Sequence, residues 1–467
     1  MKRLSLFVML LALVLTAVQC GGAAPEPAAP AQEQPKEEAA AEQPAAQEEE
    51  AAAAEEAPAA QEEAAEEAPA AASEQTVVIG YTASKTGKQE VPSRGQTRGF
   101  ELWLEQVNST GVTLSDGSVV KFEAVTYDDE SATERVQSLY TTLIEQDGAD
   151  FLISPYSSGL TDASAVVAET YGTLMITTGA ASDATYQKGL TTAYQLYTPA
   201  SRYLTGAIDM LASIDPEAKK IAFVYENDKF STDVVTAAKD YAESKGYEIV
   251  IFEGYDSETT DFAPFINKIA ASEPDAVMGG GHFNDGSTFT RQLHDKQLDV
   301  NFLALLVAPP ELQFAELGEA ALGVVGPSQW EPQANYTEEA AQAASVEWYG
   351  PSVADFVSAY QAKYGEEPGY HAAGGYASGL ILQKAIEVAG STDPQAVKTA
   401  LEGLDVMSFY GHVRFDTSPE SYGLQAAHDM VYVQWQKDDS GNLVKQVVWP
   451  LEGQSAEPLY PLAQVGQ

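Results

Sequence analysis

Two short hydroxyl-rich stretches carry the residue types that hold anions. They are Ser154-Pro155-Tyr156-Ser157-Ser158 and Thr177-Thr178-Gly179-Ala180-Ala181-Ser182. Serine and threonine hydroxyls donate to carboxylate oxygens, and so do the free N–H groups at a helix start. Each stretch follows a short apolar run, residues 151–153 and 174–176, of the kind that forms a buried strand. Ser157 and Ser158 open a helical pattern with Ala163, Val166 and Val167 as its apolar positions, and Gly172 closes it. Side by side in a parallel sheet, the two strand ends would turn their N–H groups and hydroxyls toward one carboxylate. Read alone, Ser157, Ser158 and Ser182 would serve equally well as helix N-caps.

The elements that must position these turns follow a strand–helix rhythm. Residues 76–81 form a β-branched run suited to a central strand, followed by a polar loop over 82–92 and a helix over 95–108. A strand over 120–126 and a helix over 132–145 lead to the serine turn. The rhythm restarts with strands at 221–225, 248–252, 276–281 and 301–307, separated by helices at 237–245, 262–271 and 288–296. Helices at 353–364 and 371–389 are too little interrupted by strands to build a third unit and are expected to return to the first. The fold class is therefore α/β, with two doubly wound parallel-sheet lobes. Lobe 1 is expected over 75–197 plus 327–428 and lobe 2 over 198–326 plus 429–467. Crossovers near 197–200, 324–332 and 427–433 would make a three-crossover hinge with a cleft between the sheet ends.

Ahead of this body, residues 1–20 carry Lys2-Arg3, an apolar run from Leu4 to Val18, and Cys20, the layout of an export signal. Ala17-Val18-Gln19-Cys20 resembles a bacterial lipoprotein lipobox, with Ala17 and Gln19 departing from its usual residues. A lipidated Cys20 would anchor the protein at the outer face of the cytoplasmic membrane. Residues 21–74 are almost wholly Ala, Pro, Glu and Gln, a composition that cannot bury a core. As a flexible coil this tether would span roughly 40 Å.

The formal charge is −44; fifteen Glu and one Lys give the tether −14, the leader carries +2, and −32 remains on residues 75–467. So acidic a body makes nucleic acid an improbable partner. Cys20 is the only cysteine, which leaves the body without disulfides. Catalytic patterns are missing as well: there is no Gly-x-Ser-x-Gly elbow, and the single Ser-x-x-Lys, Ser118 to Lys121, runs into an alternating strand. Five histidines without a cysteine partner offer no triad or metal spacing, so neither an enzyme nor a bound metal or cofactor is expected. Gly279 to Gly281 lack the Lys-Ser/Thr of a phosphate loop, and close backbone approach explains them better.

The ordered set Val78-Ile79-Gly80, Thr86-Gly87, Gly95, Gly99, Ile153 to Ser158 and Leu174 to Thr177 resembles the branched-chain amino-acid-binding proteins. These are type I periplasmic solute-binding proteins of ABC transporters. Lys220 to Val224, Asp261-Phe262, Pro274-Asp275, Tyr376 to Asp393 and Gly411 to Asp416 agree, so the resemblance spans residues 76–450. It implies a monomer that closes on a small solute, an amino acid or a relative, and delivers it to an ABC permease. An alternative on the same fold is a sensory protein for amides, urea or aromatic carboxylates. Carried over by position, the resemblance assigns the ligand's carboxylate to Ser158, with Ser157 before it, and its amine to Gly179 and Ala181. Ala181 has no hydroxyl, so either Ser182 stands in or the contact is lost. Phe230 and His282 fall at aromatic positions of the second lobe. Tyr156 would stack on the ligand or line the wall; Trp330 would roof the cleft or pack the hinge. Pro92 and Leu306 replace a tyrosine and an acidic residue of typical members, so the amino-acid signature is incomplete.

Overall fold

The structure, a computed structural model, describes residues 73–298, 300–334 and 336–462. The leader, Cys20 and the tether up to residue 72 lie outside the described residues. No described helix is long and apolar enough to cross a membrane.

The first sheet has six strands: β1 (Glu74–Ala83), β2 (Val112–Thr113), β3 (Val119–Asp128), β4 (Phe151–Ile153), β5 (Met175–Thr177) and β6 (Ala193–Gln195). They lie in the order β2-β3-β1-β4-β5-β6, all parallel except the short β2. The second sheet holds β7 (Lys220–Glu226), β8 (Glu248–Tyr255), β9 (Ala276–Gly280), β10 (Phe302–Leu305) and β11 (Val325–Ser328). A small third sheet contains β12 (Glu347–Trp348), β13 (Asp405–Ser408) and β14 (Gly411–Arg414). Then β15 (Val431–Lys437) and β16 (Leu443–Trp449) extend the second sheet antiparallel, in the order β16-β15-β11-β10-β9-β7-β8.

The helices that matter for the cleft are α1 (Glu90–Thr110), α2 (Thr133–Glu145), α3 (Ser158–Tyr171), α4 (Asp183–Tyr186), α5 (Thr205–Ile214), α6 (Lys229–Ser244), α7 (Ala263–Ser272) and α8 (Phe283–Asp295). Four more follow: α9 (Glu338–Ala344), α10 (Val353–Tyr364), α11 (Tyr370–Ala389) and α12 (Pro394–Glu402). Three of them start earlier than the apolar periodicity indicates. Helix α1 begins at Glu90 and contains Pro92, whose missing N–H is one of the four that a first turn leaves without an intrahelical partner anyway. Helices α6 and α8 begin directly after polar N-caps, Asp228 and His282. That start places Phe230 in a first turn.

Two α/β lobes result. The three residues of β4 are fully buried, as expected of a strand covered on both faces. Helix α11 packs against α1 at glycine positions: a Cβ on Gly99 would overlap Ala372 O, and one on Gly375 would overlap Gln96 O. The chain leaves the first sheet after β6, leaves the second after β11, and rejoins it at β15. One residue ties these crossings together. Thr198 donates its N–H to Gln329 Oε1 at 2.8 Å, and its hydroxyl lies 3.1 Å from both Nδ1 and the carbonyl of His428.

Candidate functional site

A small cavity lined by residues of both lobes lies between them. Its first-lobe wall is built at strand ends. Ser157 caps α3, accepting the N–H of Leu160 at 3.4 Å, and its φ of 82° places it in the left-handed region that a side chain enters only at a cost. The Ser157 carbonyl takes the N–H of Thr161. Of the four free N–H groups of the first turn, those of Ser158 and Gly159 are left over. Ser158 Oγ in turn accepts the N–H groups of Ala181 and Ser182, at 3.0 and 3.1 Å. The turn after β5 and the start of α3 are thus locked by one hydroxyl. Gly179, at φ 68°, has no room for a Cβ beside Gln96 and Tyr156.

The second-lobe wall is also built at helix starts, and a charged cluster stands behind it. Asp228 caps α6 through the N–H of Ser231 at 2.7 Å, and at the start of α8 Asp285 Oδ1 accepts the backbone N–H of His282 at 2.8 Å. His282 Nε2 meets Asp228 Oδ2 at 2.9 Å, Glu226 lies 3.9 Å away, and His282 Nδ1 meets the Tyr156 hydroxyl at 3.1 Å. Burial alone would push the imidazole pKa down; the Asp228 carboxylate, with Glu226 and Asp285 behind it, carries it up to about 9. His282 is therefore an imidazolium at neutral pH. Burial and the neighbouring Glu226 raise the Asp285 carboxyl to about 6.

Glu226, Asp228 and His282 each bring one donor atom within 4.8 Å of the others. They do not form a metal cradle. Both imidazole nitrogens are occupied, and Lys88 Nζ already pairs with Glu226 at 3.2 Å. The group is an ion-pair network.

The lobes are joined across the cavity by side chains. Tyr156 to His282 joins two of its lining residues, and beside it Lys88 pairs with Glu226 while Asn284 Nδ2 donates to Lys88 O at 3.3 Å. His371, at the start of α11, pairs through Nδ1 with Glu311 of the other lobe.

Of the sequence-nominated residues, Tyr156, Ser157, Ser158, Gly179, Ala181, Phe230 and His282 line the cavity. Ser182 does not: its N–H serves Ser158 and its hydroxyl donates to Asp233. Trp330 does not either. It packs against Phe356 and Phe409, with its indole N–H on Phe409 O at 2.9 Å, and so stiffens the hinge rather than roofing the cleft. Residues not nominated complete the lining: Tyr197, Tyr203, Val307, Tyr370 and His371. Tyr370-His371 follows Pro368-Gly369 at a helix start, which is the one local signal that marked it. Leu306 is buried in the second core, and the acid of that loop is Glu311, five residues on and engaged with His371.

Two α/β lobes on three crossing segments, with a partly polar cavity between them, are the build of a bilobal binding protein. The family model described as periplasmic binding protein matches residues 76–441, and the chain belongs to that family. The kinship with branched-chain amino-acid-binding proteins holds as well. The chain is 25% identical over 317 residues to Leu/Ile/Val-binding protein homolog 8 of Brucella abortus, covering 66% of this chain and 75% of the relative. It is 22% identical over 372 residues to the leucine-, isoleucine-, valine-, threonine- and alanine-binding protein of Pseudomonas aeruginosa, covering 79% and 92%.

Solved structures share the fold. LivJ of Streptococcus pneumoniae in complex with isoleucine superposes with a TM-score of 0.64 at 20% identity, covering 79% of this chain and all of that one. A solute-binding protein of an ABC transporter from R. palustris in complex with benzoate gives 0.66 at 19% identity, covering 83% and 98%.

Proposed function

We propose that the chain is the extracytoplasmic solute-binding subunit of an ABC importer. It would hold an amino acid or a related small organic solute between its lobes and deliver it to the permease. The observation that carries this reading is that one cavity draws its walls from both lobes, joined by Tyr156–His282 and Lys88–Glu226. A solute that touches both walls favours the state in which both are present. Ser158, with Ser157, is the anchor for a carboxylate, and Tyr156, Phe230 and His282 enclose the rest. The relatives' names, which specify branched-chain and other amino acids, and the benzoate complex support a small carboxylate solute.

The proposed lobe limits, 75–197 with 327–428 and 198–326 with 429–467, are supported by the packing of α11 on α1 and the pairing of β15 with β11. The leader and tether complete the proposal: Cys20 carries a lipid, and residues 21–74 lift a monomeric domain off the membrane.

Uptake in a deletion strain tests the importer role. Solute accumulation restored by the chain supports it, whereas a restored signalling response without uptake makes the protein a sensor. Cys20→Ala should release the protein from membranes into the soluble fraction, and retention on the membrane would refute the anchor.

A further inference from the structure

The cavity wall carries several hydroxyls whose protons are uncommitted. Ser158 Oγ already accepts two N–H groups, so its own proton has no partner among the described residues. Tyr156 Oη accepts from the His282 imidazolium, so its proton is likewise uncommitted. The hydroxyls of Tyr197 and Tyr370 are buried with no partner among the described residues. Buried polar groups left in this state cost free energy unless something else pairs with them. All four hydroxyls belong to residues that line the same cavity.

No Asp or Glu lines the cavity. Each nearby carboxylate is already engaged by a side chain: Glu226 by Lys88, Asp228 by His282, and Glu311 by His371. A bound ammonium would therefore find no uncommitted anion, while an acceptor-rich group finds several donors.

The apolar part of the wall is made of rings in continuous contact. On one side Tyr203 lies 5.1 Å from Phe230, and Phe230 lies 5.8 Å from His282. Tyr156 then bridges, 5.8 Å from His282 and 4.9 Å from His371. On the other side Tyr370 lies 3.9 Å from His371 and 6.0 Å from Tyr197. Such a lining prefers flat ligand rings in stacked or edge-to-face contact over branched aliphatic chains.

Resting on the cleft as the solute site, we infer that the solute is a small aromatic carboxylate without an ammonium group. Its carboxylate sits at the Ser158 turn, its ring lies among Tyr156, Phe230 and Tyr370, and a ring hydroxyl meets Tyr197, Tyr370 or His371.

The test is calorimetric titration and thermal shift of the full chain with benzoate, 4-hydroxybenzoate, leucine and phenylalanine at matched concentrations. Saturable binding of the two benzoates, with the two amino acids at least tenfold weaker, is the expected result. Tyr370→Phe should weaken 4-hydroxybenzoate several-fold more than benzoate, and its unliganded melting curve provides the folding control. Tighter binding of leucine or phenylalanine than of the benzoates overturns the inference and leaves the cleft reading standing. Binding of benzoates that is unchanged in both Ser158→Ala and Tyr370→Phe overturns both, because the solute then sits elsewhere. No response to either benzoate also overturns the inference.

Discussion

The two walls of the cleft reach the same place by different means. The first-lobe wall is made of small residues and backbone: Ser157, Ser158, Gly179 and Ala181, with Ser158 Oγ holding two N–H groups in place. The second-lobe wall is backed by charge: Glu226, Asp228 and Asp285 stand behind the buried imidazolium of His282, which alone of the four lines the cavity. The first wall offers a carboxylate directional donors that need no rearrangement. The second gives the first something to close against, through Tyr156–His282 and Lys88–Glu226. Under the proposed function, one wall recognises the solute and the other registers closure. The division explains why a histidine sits in the binding cleft without being a metal ligand or a catalytic base.

The sharpest way to break this division is to remove the imidazolium. His282→Phe leaves Asp228 buried without its cation, while Glu226 keeps Lys88, and loss of one partner from a buried pair costs about 3–5 kcal/mol. Denaturant midpoints should fall accordingly, and Asp228→Asn in the same background should recover part of the loss. A midpoint unchanged in His282→Phe would show that the cluster is not held by charge.

The same group sets a pH dependence. Its folded pKa of about 9 lies above the ordinary histidine value near 6.5. Its contribution is therefore fully present below about pH 6.5 and is lost as pH rises through about 9. Melting temperature should drop between pH 7 and 10 in the native chain, with a shallower slope in His282→Phe.

On the other wall, Ser158→Ala should weaken solute binding by about 1–3 kcal/mol, because a charge-assisted hydrogen bond is lost and two N–H groups lose their acceptor. Titration calorimetry reads this directly. An equal loss in unfolding stability, with affinity unchanged, would make Ser158 purely a lock between the two turns.

The smallest effect is expected at Lys88, whose side chain is 41% exposed. Lys88→Ala should cost at most about 1 kcal/mol. It should appear mainly as a smaller closed fraction, read from interlobe distances in solution scattering. A loss as large as that of His282→Phe would place the closing contact at the cleft's edge instead of its interior.

Much of this arrangement was legible in the residues. The repeated strand–helix rhythm gave both parallel sheets, and the hydroxyl clusters after residues 153 and 176 gave one wall of the cavity. Apolar periodicity marked where helices are amphipathic but not where they begin, so α6 and α8 started later on that basis than at their caps, Asp228 and His282. The acids of the second wall carry no motif. Glu226 ends a strand and Asp228 caps a helix, and only the fold brings them to His282. Tyr197, Tyr203 and Tyr370 look like ordinary core tyrosines in a linear reading, since their shared cavity depends on crossings of the chain between lobes. Trp330 was ambiguous for the same reason: burial at a hinge and burial over a cleft look identical from one strand end.

The close seat of α11 on α1 has a consequence for how this cleft can be adjusted. Tyr370 and His371 are the first two residues of α11, and Gly375 lies barely one turn further along, against the backbone of Gln96. The glycine acts as a shim beneath a rod whose tip bears two of the cavity's rings. Any side chain inserted there must lift the rod, because the opposing atom is a backbone carbonyl that cannot swing away. The spacing between tip and serine turn is thus set by residues that never meet the solute. Affinity can drift, or be engineered, from inside the frame while every lining residue stays the same.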